Sequence, residues 1–263
     1  WGDKLSVLLG LHDLNSEFYV TDTSGLFVNP TYGIGTEMAV TGRNGPSIFP
    51  TSGLTARVEV KPVDGIYIKA AAYDGVPGDS KDARGTHIYL GEKDGILLVA
   101  EGGLWSEKTG HFGVGVWKYT AATADLVTNT TYRQSKGVYF LADRSVYSAD
   151  GRDISVFGRI GFTSGDVEQF SSNWSLGFVT TGFMPLRPEA QVGFAVSQNK
   201  NSDKYIAANT PLQRRETQYE FTVKDQITPW LSVQPDVQYT VNPGTDSTLK
   251  NALTAGVRLG IDF

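Results

Sequence analysis

The sequence predicts an all-β fold, a transmembrane antiparallel up-and-down β-barrel with about twelve strands in this chain. Three observations predict it. The stretch 253–263 sets Leu253, Ala255, Val257, Leu259, Ile261 and Phe263 against Thr254, Gly256, Arg258, Gly260 and Asp262 without an error. Successive side chains of a strand point to opposite faces, so one face is apolar throughout and the other carries charges and glycines. Lipid on one side and water on the other demand that division. The same division recurs along the whole chain, and the connections between strands alternate short and long from start to finish.

Taken in order, two-sided patterns occur near 3–12, 54–61, 65–73, 95–104, 110–119, 137–147, 152–163, 172–183, 187–198, 216–224, 231–241 and 253–263. In 54–61, Leu54, Ala56, Val58 and Val60 oppose Thr55, Arg57, Glu59 and Lys61. In 152–163, Ile154, Val156, Gly158, Ile160 and Phe162 oppose Asp153, Ser155, Phe157, Arg159 and Gly161. The patterns at 95–104 and 137–147 are weaker, because apolar residues fall on both faces. Pro235 interrupts 231–241 and cannot donate to a ladder, so a β-bulge or a missing neighbour bond is expected there.

The segments 61–65, 105–110, 148–151, 184–187 and 228–229 are short, rich in Gly and Pro, and suited to tight turns. Between them fall 74–94, 120–136, 164–171, 199–214 and 242–250, longer and polar. A barrel with short periplasmic turns and long extracellular loops has this rhythm. A soluble Greek-key sandwich, which would explain any single strand equally well, has no reason for it. The last strand then runs from outside inward and puts Phe263 on the periplasmic side.

Composition agrees. Charged residues are 19% and hydrophobic ones 40%, and no window approaches the run of 18 or more apolar residues of a membrane helix. The 30 glycines, 12 tyrosines and 13 phenylalanines suit tight turns and aromatic girdles. Cysteine is absent, which rules out disulfides and thiolate metal sites. A net charge of −5 argues against a nucleic-acid partner. The start at Trp1, without a leader, predicts a chain that begins partway through a longer protein.

The segment 13–52 is too long for a tight loop and too apolar for disorder, with Phe18-Tyr19-Val20, Leu26-Phe27-Val28 and Ile48-Phe49 among its residues. It leaves from the extracellular rim. Folding into the barrel mouth would shelter those side chains and make the segment the constriction of a channel. A cap on the outer rim or an oligomer contact would shelter them too. The expected organisation is one barrel domain over 1–263 with 13–52 folded inward.

Several stretches resemble one family. They are Asp13-Leu14-Asn15-Ser16-Glu17-Phe18 with Leu26-Phe27-Val28-Asn29 and Phe49-Pro50, and 181–188. Gln218-Tyr219-Glu220, Val233-Gln234-Pro235-Asp236-Val237-Gln238-Tyr239 and Asn242-Pro243-Gly244 complete the set. From about residue 3 to the end, the chain resembles the carbohydrate-selective porins of the OprB type. The resemblance implies a sixteen-stranded outer-membrane barrel of a Gram-negative bacterium that passes sugars passively, without cofactor or chemical step. Twelve strands here would correspond to its later part, with about four upstream, which implies either a natural short form or a chain whose beginning is missing. Small carbohydrates and outer-membrane lipid are the implied partners, with a homo-oligomer, trimer or monomer left open.

A sugar channel needs hydrogen-bonding groups of both signs and flat aromatic faces. The water-facing sides of the strands supply Arg57, Glu59, Lys69, Arg159, Glu216, Gln218, Glu220, Gln234, Asp236, Gln238 and Arg258 as pore-lining candidates. Guanidinium forks and carboxylates can bridge vicinal hydroxyls. Tyr67, Tyr73 and Trp117 fall on the same faces and are suited to stacking on pyranose rings. Each charged residue would serve equally well in an ion pair that supports the wall. No metal or cofactor site is expected. His12, His87 and His111 stand apart, without metal-ligand spacing, and are expected to be solvated. Gly33-Ile34-Gly35 lacks the context of a nucleotide loop. A channel without sugar preference and a closed barrel carrying an enzyme or adhesin are the alternative readings.

Overall fold

The computed structural model describes residues 4–79, 88, 91, 93–107 and 110–262. Twelve strands run in chain order: β1 (Leu5–His12), β2 (Gly53–Val60), β3 (Ile66–Asp74), β4 (Ile96–Ser106), β5 (Gly110–Ala124), β6 (Tyr132–Ala149), β7 (Arg152–Thr163), β8 (Phe170–Thr181), β9 (Gln191–Asn201), β10 (Arg215–Thr228), β11 (Leu231–Val241) and β12 (Ala252–Ile261). Each pairs antiparallel with the next in a single sheet, in the order β1 to β12, which is the up-and-down connectivity that the connection rhythm implies. Trp1, His87 and Phe263 lie outside the described residues.

The two faces divide as the alternation requires. On one face large apolar side chains stand exposed along strand after strand: Leu9 at 76%, Leu176 at 56%, Val257 at 65%. A water-soluble protein does not present so continuous an apolar wall, whereas hydrocarbon accepts it. The other face carries Arg57, Glu101, Arg159, Glu220 and Gln234, all buried. One prediction separates lipid from a second sheet as the apolar face's neighbour. Leu176 lies mid-strand on β8, opposite Gly158 of β7 and Val196 of β9. Leu176→Arg should cost about 2–4 kcal/mol in denaturant unfolding from lipid vesicles, the penalty of a cation near the bilayer midplane.

Local chemistry explains the turns. Asp150 (φ 53°) and Gly151 (φ 72°) form a two-residue link between β6 and β7, both left-handed, as a hairpin turn matched to strand twist demands. Pro235 causes no bulge. The β10–β11 register is the same on either side of it, at Thr222–Asp236 and Asp225–Val233, with no pairing at Pro235 itself. On its other side Pro235 still sits opposite Val257 of β12.

Some boundaries differ from those expected. The ninth strand starts at Gln191 and not at 187. Pro185 and Pro188 lack a donor and Leu186 takes φ 66°, so 184–190 is held in turns, with Arg187 N–H donating to Met184 O (3.2 Å) and Ala190 N–H to Arg187 O (3.1 Å). β5 and β6 extend further than their alternation, which fades after a register shift between Lys118 and Ala122. Part of 199–214 is helical: α2 (Asp203–Ala208) follows Ser202, whose hydroxyl caps Tyr205 N–H (3.1 Å).

The segment 13–52 contains three short 3-10 turns and the helix α1 (Thr36–Ala39), and it lies across the polar face of the sheet. Its Leu14, Phe18, Tyr19, Ile34 and Met38 form one core with Tyr73, Leu97, Val99, Trp117, Tyr139 and Leu141 of the wall. Its Leu26, Phe27 and Tyr32 form a second with Phe157, Val179 and Ala195. The apolar residues that blurred the alternation of β4 and β6 are therefore the seat of this segment. Burying a side chain such as Phe18 or Met38, each fully enclosed, contributes about 1.5–3 kcal/mol.

Candidate functional site

The polar face and the segment lying on it form the candidate site. Apolar packing positions the segment, and buried polar groups of successive strands then hold its backbone. At its start, Arg57 on β2 donates to Glu17 Oε1 (3.0 Å) and to Ser6 Oγ (2.8 Å). Lys69 on β3 donates to Glu17 O (2.5 Å) and stands 5.0 Å from the ring centre of Tyr67. Next, Glu101 on β4 accepts from Tyr19 N–H (3.0 Å), Tyr67 Oη–H (3.0 Å) and Tyr139 Oη–H (2.6 Å). Asp143 on β6 accepts from Thr23 N–H (2.7 Å) and Oγ1–H (2.5 Å).

The middle is held most firmly. Arg159 on β7 donates to Gly33 O (2.7 Å), Thr31 O (3.1 Å) and Ser175 Oγ (3.2 Å), with its guanidinium 5.5 Å from the ring centre of Tyr19. Glu220 on β10 accepts from Val28 N–H (2.6 Å) and Asn29 N–H (3.0 Å). Gln234 on β11 donates to Leu26 O (2.7 Å), and Gln238 Oε1 accepts from Asn29 Nδ2 (3.0 Å). Thr31 Oγ1 and Ser197 Oγ of β9 are 3.0 Å apart. Charged groups bonded to backbone in a dry setting are stronger tethers than neutral pairs. A backbone crossing a barrel interior also needs such partners for its own N–H and C=O groups.

Every pore-lining candidate among the strands lies on this polar face, but their surroundings divide them. Arg57, Arg159, Glu220, Gln234 and Gln238 bond the segment. Gln218 Nε2 donates to Gln238 Oε1 (3.0 Å), and Gln238 Nε2 donates to Asp236 Oδ1 (2.7 Å), so these three brace the clamp. Glu216 accepts from Gly244 N–H, tying the Asn242-Pro243-Gly244 turn to β10. Trp117 and Tyr73 are buried in the first core, Tyr73 edge-on to Phe18 at 6.3 Å. Arg258 on β12 is exposed, opposite Gln234 in register. Glu59, Tyr67 and Lys69 line a cavity of about 720 Å³ with Lys61, Trp105 and His111, at the end of the wall where the turns are short.

Residues of the clamp that alternation did not single out are Glu101, Asp143 and Glu37. Glu101 sits alone inside Ile-Leu-Leu-Val-Ala-Glu-Gly-Gly-Leu, and a lone carboxylate in an apolar run must find partners, which was the available signal. Glu37 on α1 is fully buried and accepts from Tyr19 Oη–H (3.0 Å), while its Oε2 lacks a partner. Burial pushes its carboxyl up to about 7, against the lowering pull of the Tyr19 hydrogen bond and the Arg159 charge. Glu168, between β7 and β8, is raised to about 7 chiefly by burial, against the lowering pull of Ser135 and of Gly42 of the segment. Gly161 makes room for Glu37, since a Cβ there would overlap the carboxylate.

Of the histidines, His12 Nε2 lies 3.4 Å from Glu17 Oε1, and His111 Nε2 lies 2.6 Å from Tyr67 Oη. Among the described residues no cluster of three or more His, Asp or Glu is placed to hold a metal.

A family model described as carbohydrate-selective porin, OprB family, matches residues 1–263. Porin B of Pseudomonas aeruginosa is 24% identical over an alignment of 255 residues that covers 82% of this chain and 56% of that protein. The chain thus spans just over half the length of the curated relative it matches. A high-pH structure of Pseudomonas putida OprB superimposes with a TM-score of 0.85 at 20% identity, covering 100% of this chain and 70% of that one. The outer membrane channel DcaP of Acinetobacter baumannii gives a TM-score of 0.53 at 12% identity over 83% of this chain and 63% of its own. At these identities the structural matches speak for the fold: the sheet described above is that of an outer-membrane barrel.

Proposed function

The chain belongs to the carbohydrate-selective porin family, OprB, and on that premise we propose that it forms the wall and constriction of a passive sugar channel in a Gram-negative outer membrane. The observation that carries this reading is the segment 13–52, tethered across the polar face by Arg57, Glu101, Asp143, Arg159, Glu220 and Gln234. A peptide fixed inside a barrel narrows the water path without closing it, and its fixed backbone sets the width. The channel works by diffusion, with no bond made or broken.

Solute contact falls to the cavity beside the clamp, whose Lys69 and Tyr67 also bond within the clamp. Glu59, Lys69 and Tyr67 around the 720 Å³ cavity offer a carboxylate, an ammonium and an aromatic face, with Trp105 beside them. Sugars are neutral and rich in hydroxyls, so groups of both signs exchange hydrogen bonds with them, while a bore of mixed sign gives no net attraction to salts of either sign. In liposome swelling, hexoses should enter faster than amino acids of similar mass. Equal rates for the two would remove the sugar preference and leave a general channel.

A further inference from the structure

Beyond the channel itself, the apolar wall carries a feature that a porin does not need for diffusion. On the lipid-facing side of β2 to β7, a groove of about 910 Å³ runs over Ala56, Ala70, Ala72 and Ala100, between bulkier residues such as Val116 and Phe162. Small side chains on successive strands make the depression. At its upper end stand Lys118 of β5 and Lys136 of β6, directly opposite one another in register and both exposed. Their side chains share the face of Val116 and Val138, the face turned to lipid. Among the described residues neither has a carboxylate within ion-pair distance.

Two like charges directly opposite on adjacent strands repel, and both would be costly beside hydrocarbon. An anion placed between them removes both penalties. The end of the groove that they mark is the extracellular one, since it adjoins the long connections 75–95, 125–131 and 164–169. We propose that the groove and the Lys118–Lys136 pair form a binding site for a phosphate-bearing lipid of the outer leaflet, acyl chain along the alanines and phosphate between the ammonium groups. The orientation rests on the outer-membrane reading above. The site faces lipid, away from the 13–52 segment, so its loss leaves conduction unchanged.

Native mass spectrometry of the full chain in detergent tests this with dioleoyl phosphatidic acid, dioleoyl phosphatidylcholine and inorganic phosphate as probes. Phosphatidic acid should be retained at roughly tenfold lower concentration than phosphatidylcholine, from the attraction of two lysines. The K118A/K136A variant should lose that preference, and K61A should keep it. Filling the groove with Ala100→Leu should weaken retention of both lipids. Equal retention in K118A/K136A and the parent would overturn the proposal. So would competition by inorganic phosphate alone, which marks a free-anion site, or a doubled mass without lipid, which marks a second copy as occupant. Single-channel conductance of K118A/K136A equal to the parent's shows that the channel reading stands whichever way the lipid result falls.

Discussion

Arg159→Ala should release the middle of the 13–52 segment and raise single-channel conductance while lowering the preference for sugars over salts. The guanidinium bonds two backbone carbonyls of the segment, at Thr31 and Gly33, and packs against the Tyr19 ring. It is 3% exposed, so its loss strands those carbonyls without water to replace it. Truncating one partner of such a buried charged contact costs about 3–5 kcal/mol. That exceeds what one buried side chain such as Met38 returns through packing. Glu220→Ala should act the same way, because it orphans the N–H groups of Val28 and Asn29. Arg159→Lys keeps the charge but not the fork that reaches both carbonyls, and should fall between the parent and Arg159→Ala. Protease cleavage within 13–52 should rise in the same order. Unchanged conductance and cleavage in both alanine variants would show that the clamp does not hold the segment.

Docking of the segment should weaken as pH rises from about 4.5 to about 7. Glu37 lies on the segment and Glu168 on the wall beside its Gly42, and burial raises each from an ordinary 4.5 to about 7. A carboxyl whose pKa is raised by docking keeps its proton in the docked state while the released state ionises. Docking is therefore unpenalised below pH 4.5 and loses strength through the interval. Above pH 7 the loss is complete and constant, on the order of 3 kcal/mol for each group. Gating events and protease sensitivity should accordingly increase from pH 5 to pH 8. Glu37→Gln should remove about half of that dependence, since a neutral amide still accepts from Tyr19 Oη and Glu168 carries a shift of the same size. A dependence of opposite sign, or one untouched in both Glu37→Gln and Glu168→Gln, would contradict this assignment.

Much of the barrel wall was legible because a strand between lipid and water must alternate, and β2, β7, β10 and β12 do so cleanly. Their polar positions, Arg57, Arg159, Glu220 and Arg258 among them, could be assigned to a face from parity alone. What those side chains touch could not be read that way. Arg159 and Gly33 are 126 residues apart, and Glu220 and Val28 are 192 apart. No local pattern links them. Conversely, β4 and β6 looked poor because Leu97, Val99, Tyr139 and Leu141 put apolar groups on the wet side. Those same residues pack on Phe18, Tyr19 and Met38, so the blemish in the alternation recorded the segment's resting place. The longer β5 and β6 escaped notice because above the bilayer a strand no longer needs an apolar face.

The central claim is that the 13–52 segment rests on the wall in the conducting state, and a disulfide trap tests it most directly. The chain carries no cysteine, so Thr31→Cys with Ser197→Cys introduces a single pair, at positions whose hydroxyl oxygens are now 3.0 Å apart. The pair should oxidise readily, leave conductance and hexose entry at parental values, and restore both when combined with Arg159→Ala. Thiols that stay free under oxidant, or a cross-link that changes conductance several-fold in the otherwise parental chain, would show that the segment lies elsewhere when the channel is open.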